Sequence, residues 1–83
     1  MARASVKNQR LLSARECLAV NLIRLRKEKN WSQEDLSFEA GLHRTFVAHV
    51  ERGARNISLD NLEKLGIALG VTCAELLQTP KVT

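Results

Sequence analysis

The stretch Ser32–Gly53, SQEDLSFEAGLHRTFVAHVERG, limits what this chain can fold into more than any other part of it. Two short helical patterns meet there at Ala40-Gly41-Leu42. The first runs from Ser32 to Ala40 and the second from His43 to about Arg52. Ser32 is a good N-cap, and Asp35 three residues on makes a weak form of the capping box. Gly41 falls where the first helix must stop, a place that often needs a positive φ and so suits glycine. About three residues of turn remain between the helices, which is helix-turn-helix spacing. Leu36, Ala40, Leu42, Val47 and Val50 supply an apolar inside. Gln33, Arg44, Thr45, Ala48 and His49 are left outside.

Eighty-three residues allow one small domain with a modest core, so good packing or a partner subunit is needed for stability. Hydrophobic residues make up 45% of the chain and are helically periodic, which argues for a folded protein. The single proline, Pro80, interrupts no helical pattern. The expected fold class is all-α, a compact five-helix bundle. Net charge is +4 and unevenly placed: residues 1–30 carry eight Lys/Arg against two acids, residues 31–83 five against seven. The basic end adjoins the helix-turn-helix in sequence. Such a balance favours nucleic acid or an anionic membrane surface as partner. No apolar run reaches the length of a membrane span, and no apolar stretch follows the N-terminal basic residues as in a secretory signal. Cys17 and Cys73 are isolated and lack metal-ligand spacing, so they read as reduced thiols of a cytoplasmic protein.

In chain order, residues 1–12 form a basic segment with three readings: a solvated flexible tail, a helical extension of the first helix, or an arm that follows DNA. The domain proper is expected over 13–78, with 79–83 fraying. Ser13 to Glu16 is a full capping box opening helix 1. Leu18, Leu22 and Leu25, with Ile23 beside them, give its inner stripe. Arg26, Lys27 and Lys29 suit the negative end of the helix dipole, and the helix is expected to end near Lys29-Asn30. Trp31 reads as a core residue stapled onto helix 1. Phe38 lies opposite Leu36 and Ala40 and needs a cover, either the N-terminal segment or a second subunit. Ser58 caps helix 4, with Leu59, Leu62, Leu65 and Leu69 facing in, Gly66 permitting close packing and Gly70 ending the helix. Thr72 to Glu75 is a second full capping box, for a short helix 5 to about Gln78. Leu76 and Leu77 cannot both be buried. With Ile67 they suggest an apolar patch, read as a dimer interface.

The pattern W-S-Q-E-D-L-S-x-x-A-G-L-x-x-x-x-V-x-x-V-E-R-G resembles the phage-repressor class of helix-turn-helix, also called the xenobiotic-response-element family. The following R-N-I-S-L-D-N-L-x-K-L-x-x-A-L-G-V-x-x-x-E-L-L extends the resemblance over roughly residues 16 to 77. Within that family the chain is most similar to the controller proteins of restriction–modification systems. The resemblance implies a domain of the lambda-repressor type. It also implies that Gln33 donates to a phosphate and braces the recognition helix, and that Glu51 is structural. Phe46 is open between packing and a place near the DNA backbone. Ile67 stands where the family often has lysine.

The second helix of the motif carries the chemistry. Val47 and Val50 pin it from inside, so residues 44, 45, 48 and 49 share the outer face. A helix fits the major groove of B-DNA and points its N-terminal side chains at base edges. Arg44 offers a fork for guanine, Thr45 a partner for a thymine methyl or a phosphate, and His49 a contact one turn on. Small Ala48 lets the helix sit deep. These four are the expected base contacts. Gln33, His43, Phe46, Arg52, Arg55 and Asn56 are the expected backbone contacts. The expected partners are double-stranded DNA and a second copy of the chain, with no membrane, no small-molecule ligand and no cofactor. Operator binding as a homodimer on an inverted repeat follows, and a controller of a restriction–modification operon is what the resemblance implies. A phage or mobile-element repressor or an antitoxin-type regulator would share these features. A protein–protein adaptor is the rival from a different class. No metal or catalytic constellation supports an enzyme.

Overall fold

The computed structural model describes residues 12–80. Within them the elements are α1 (Ala14–Glu28), α2 (Gln33–Ala40), α3 (Arg44–Glu51), α4 (Leu59–Leu69) and α5 (Cys73–Leu77). The three readings of residues 1–12 fall, apart from Leu12, outside the described residues, as do the last three of the expected fraying end.

Helix starts follow from local chemistry. The side chains of Ser13, Ser32, Ser58 and Thr72 each accept from the backbone N–H three residues on. Each such cap contributes about 1 kcal/mol. At Ser32 both halves of the box form: the Asp35 N–H donates to Ser32 Oγ at 3.0 Å and the Ser32 N–H to Asp35 Oδ2 at 2.9 Å. The shorter aspartate thus closes the box as fully as glutamate does at Glu16 and Glu75. The stops are also local. Gly41 takes φ 69°, and the Leu42 N–H turns back onto the Ser37 carbonyl at 2.9 Å. A Cβ would be strained in that conformation, so glycine there fixes the turn length before the next helix. Asn30 ends the first helical run in the same way, with φ 60°.

α1 packs against α3 and α5, α2 against α3 and α4, and α4 against α5. The core they enclose is Leu18, Leu22, Leu36, Ala40, Val47, Val50, Leu62, Leu65, Leu69 and Leu76, with Trp31, Leu25 and Phe46 packed against its edge. Trp31, read as a core residue, therefore packs on the core's rim and stays partly buried. α1 buries more than its leucine stripe, since Cys17, Ala19 and Asn21 are also buried. Asn21 Nδ2 donates to the carbonyls of Leu76 and Gln78, both at 2.8 Å. That pair of bonds satisfies a buried amide and anchors the end of α5 to α1.

Two expectations are corrected. Leu59 is 79% exposed. It is the first residue of α4, and side chains in a helix lean toward its N-terminus, so Leu59 points off the end rather than into the core. Leu76 is fully buried and offers no surface to a second subunit, whereas Leu77 is exposed. Adjacent helical residues diverge by about 100°, and only one of two leucines can enter the core. Phe38 is 83% exposed, as its place opposite Leu36 and Ala40 implies, and both covers read for it, the N-terminal segment and a second subunit, lie outside the described residues.

Gly66 shows how tightly α4 and α5 join. A Cβ built there would lie 2.7 Å from the Val71 carbonyl oxygen and 3.7 Å from Leu76 Cδ1. Alanine within a helix ordinarily stabilises by about 1 kcal/mol over glycine. Here the backbone clash reverses the sign. Gly66→Ala is expected to destabilise the chain by about 1–3 kcal/mol, read as a lower urea midpoint. An unchanged or raised midpoint would show that the α4–α5 join yields at little cost.

Candidate nucleic-acid interface

α3 is eight residues long and amphipathic: Val47 and Val50 are fully buried, while Arg44 and Thr45 are exposed and Ala48 and His49 half-buried. His43 is its N-cap, with Nδ1 accepting from the Thr45 N–H at 3.1 Å. So short a helix has little stability of its own, and tertiary contacts must hold it.

The strongest of those contacts is a buried network centred on Glu51, the last residue of α3. Arg26 of α1 donates to it in a fork, Nε to Oε2 at 2.7 Å and Nη2 to Oε1 at 2.9 Å. Gln33 of α2 donates from Nε2 to Glu51 Oε1 at 2.9 Å. The remaining arm of Arg26, Nη1, donates to the Trp31 carbonyl at 2.8 Å. The side chains of Arg26 and Glu51 are only 12% and 4% exposed. Hydrogen bonding to Glu51 raises the Arg26 pKa above its ordinary value. Desolvation opposes that rise and the Coulombic attraction of Glu51 adds to it. Three helices and the α1–α2 turn thus converge on one carboxylate.

Beside this network runs a groove of about 480 Å³ lined by Arg26, Ser32, Gln33, Glu34, Arg44, Thr45, Ala48, His49 and Arg52. All four expected base-contact residues line it, together with Gln33 and Arg52. Glu34 was not singled out from the sequence. It lies 3.9 Å from Arg44 in an exposed ion pair, which in water contributes little to stability. The other expected backbone contacts are placed differently. Phe46 is half-buried and packed against the core, and the Arg55 guanidinium lies 5.7 Å from its ring centre. Arg55 Nη2 also lies 3.1 Å from His49 Nδ1, which ties Arg55 to the groove wall. Asn56 accepts a hydrogen bond from Arg15 of α1 and, with Arg55, lines a separate cleft with Leu59, Leu62 and Leu77. His43 is exposed, outside the groove lining. Of the residues assigned to a dimer interface, Ile67 is 76% and Leu77 39% exposed.

Sequence reasoning gave Arg26 a solvated place at a helix end. Its actual partner is 25 positions away, so no helical spacing reveals the pair. Its short distance from Trp31, whose carbonyl it also holds, was the available signal. Among the described residues no group of three or more His, Cys, Asp or Glu is arranged to hold a metal ion.

Comparison with known proteins decides the family. The helix-turn-helix family profile matches residues 22–76, which include all of α2, α3 and α4. The chain belongs to the helix-turn-helix family of DNA-binding transcription regulators. It is 57% identical over 58 residues to the control protein C.BamHI of Bacillus amyloliquefaciens, covering 70% of each chain. The solved structure of the hypothetical transcription factor NHTF from Neisseria superposes with a TM-score of 0.79 at 47% identity, covering 82% of this chain and 78% of that one. The restriction–modification controller protein C.AhdI from Aeromonas hydrophila gives a TM-score of 0.72 at 45% identity, over 75% and 94% of the two chains. The all-α helix-turn-helix fold and the resemblance to controller proteins are thus both upheld.

In this helix-turn-helix protein Glu51 is the joint between the groove and the body. Glu51→Ala leaves the Arg26 guanidinium buried without its carboxylate, and removing one partner of a buried pair costs about 3–5 kcal/mol. The expected outcome is a large fall in the urea midpoint, with Arg26→Ala similar and the double variant much less than additive. Additive losses would mean that the two side chains are not coupled.

Proposed function

We propose that this chain regulates transcription by binding an inverted-repeat operator as a homodimer, and that it is the controller of a restriction–modification operon. The observation that carries the reading is the outward set Arg44, Thr45, Ala48 and His49 along one short helix, locked from behind by the Arg26–Glu51–Gln33 network. The identity to C.BamHI and C.AhdI supports the controller assignment. Arg44 brings a planar fork that matches guanine O6 and N7. Thr45 beside it meets a thymine methyl or a phosphate, and Ala48 allows close approach. Arg52 at the groove wall and Arg55 on its flank neutralise phosphates, and His43 at the N-cap donates to one. Gln33 is tied to Glu51 through one N–H of its amide and lines the groove beside the N-terminus of α2. In this reading Gln33 braces α3 and the helix end meets the phosphate.

The homodimer reading rests on exposed apolar side chains. Ile67, Leu77 and Leu59 project from α4 and α5, and a partner subunit would cover them. A two-fold dimer places its two recognition helices about 34 Å apart, one turn of DNA. The chain acts in the cytoplasm on nucleoid DNA and carries no catalytic role, cofactor or small-molecule ligand. Control comes from its own concentration and from the arrangement of sites.

Selection of bound duplexes from a random pool tests the reading. The expected product is a palindromic motif with half-sites about one turn apart, bound with an affinity that falls steeply with salt. Arg44→Ala is expected to cost about 1–3 kcal/mol on that motif and to relax preference at one base pair. A pool with no enriched duplex would instead support a protein–protein adaptor. Equal loss on random and selected DNA would assign Arg44 to backbone contact.

A further inference from the structure

We propose that Arg55, seated on Phe46, fixes the hydrogen-bonding state of His49 so that His49 presents Nε2–H to the major groove and reads a guanine. The proposal rests on the DNA-binding reading above and adds which base feature His49 recognises and which residue positions it. Arg55 Nη2 lies 3.1 Å from His49 Nδ1. A guanidinium has donors only, so Nδ1 must be the acceptor in this pair. A neutral imidazole that accepts at Nδ1 carries its proton on Nε2. The doubly protonated ring is incompatible with the contact, because it would set N–H against N–H.

Arg55 is itself held in place. Its guanidinium stacks over the Phe46 ring at 5.7 Å, and Phe46 is wedged against the core. The chain leading to it is pinned by the Ala54 N–H, which donates to the His49 carbonyl at 3.0 Å. The chain leaving it is pinned by Asn56, which accepts from Arg15 of α1. His49, half-buried, lines the groove with Arg44, Thr45 and Arg52. An unconstrained histidine can donate or accept at its tip. Here Arg55 removes the choice and leaves a donor.

A donor-only tip discriminates among bases. In the major groove guanine shows two acceptors, N7 and O6, and no donor. Adenine sets a donor beside its N7, and cytosine shows a donor. Thymine shows a single acceptor, O4, beside its methyl group, so guanine, with two adjacent acceptors, is the base that a fixed Nε2–H favours most. Arg44 sits five residues earlier, at the other end of α3, and so meets a different base pair.

The test uses the full chain and the duplex that it selects. Each guanine of the half-site is replaced in turn by 7-deazaguanine, which lacks N7, and by 2-aminopurine, which lacks O6. Binding is measured for wild type, His49→Ala and Arg55→Met at one salt concentration, with folding checked by thermal melting. At one guanine an analogue is expected to weaken wild type about five- to tenfold, the size of a lost hydrogen bond. The same replacement is expected to leave His49→Ala unaffected. Arg55→Met keeps the aliphatic stem over Phe46 but has no donor. It is expected to lose most of that discrimination, beyond a uniform loss on every duplex from the missing charge. Equal analogue effects in wild type and His49→Ala at every guanine would overturn the assignment to His49. Full discrimination in Arg55→Met would overturn the positioning role. A wild-type chain that selects no duplex at all would overturn the DNA-binding reading itself, an outcome distinct from both.

Discussion

One buried carboxylate governs the geometry of this molecule. Glu51 receives a two-pronged bond from α1 and a third bond from α2. Burying a charge is costly unless it is paired and hydrogen-bonded, and here three donors from two other helices meet the carboxylate. The arrangement converts an electrostatic requirement into a positional one. α3 cannot slide or rotate without stranding a charge inside the protein. The valines behind it fill volume, but apolar packing alone is tolerant of small shifts, whereas the planar fork of an arginine on a carboxylate is not.

That rigidity matters because the helix is short. Eight residues cannot hold themselves helical in water, and base reading depends on side chains that start from a defined position. The protein meets this with constraints at each end. His43 caps the start, and the Gly41 turn fixes the approach from α2. At the far end the loop through Arg55 and Asn56 is tied to His49 and to α1. The outer face is left to Arg44, Thr45, Ala48 and His49, with Glu34 opposite Arg44.

Much of this was legible in the sequence, because most of it is local. The caps at Ser13, Ser32, Ser58 and Thr72 and the stops at Asn30, Gly41 and Gly70 are decided by residues within a turn of one another. The inner valines of α3 follow from period alone, and with them the outward set. What escaped was non-local or depended on ends. Arg26 finds Glu51 across the fold, and Asn21 finds the carbonyls of Leu76 and Gln78, at separations that no helical pattern encodes. Leu59 keeps the apolar period yet falls at a helix start, where the period no longer says what lies in front of the side chain. Leu76 and Leu77 were rightly read as exclusive, but which one enters the core is settled by the close approach of α5 to Gly66. Gln33 was read both as a phosphate donor and as a brace for α3, and one N–H of its amide makes the bracing bond to Glu51.

The central claim is that the outward face of α3, held by Glu51, is the surface that meets DNA. Backbone amide NMR on the full chain, titrated with the duplex that it selects, tests this most directly. The account predicts that the largest shift changes fall on residues 44, 45, 48 and 49 and at the N-terminus of α2, with residues 62–69 little changed. Changes concentrated on α4 and α5, with residues 44–49 unmoved at saturation, would contradict it.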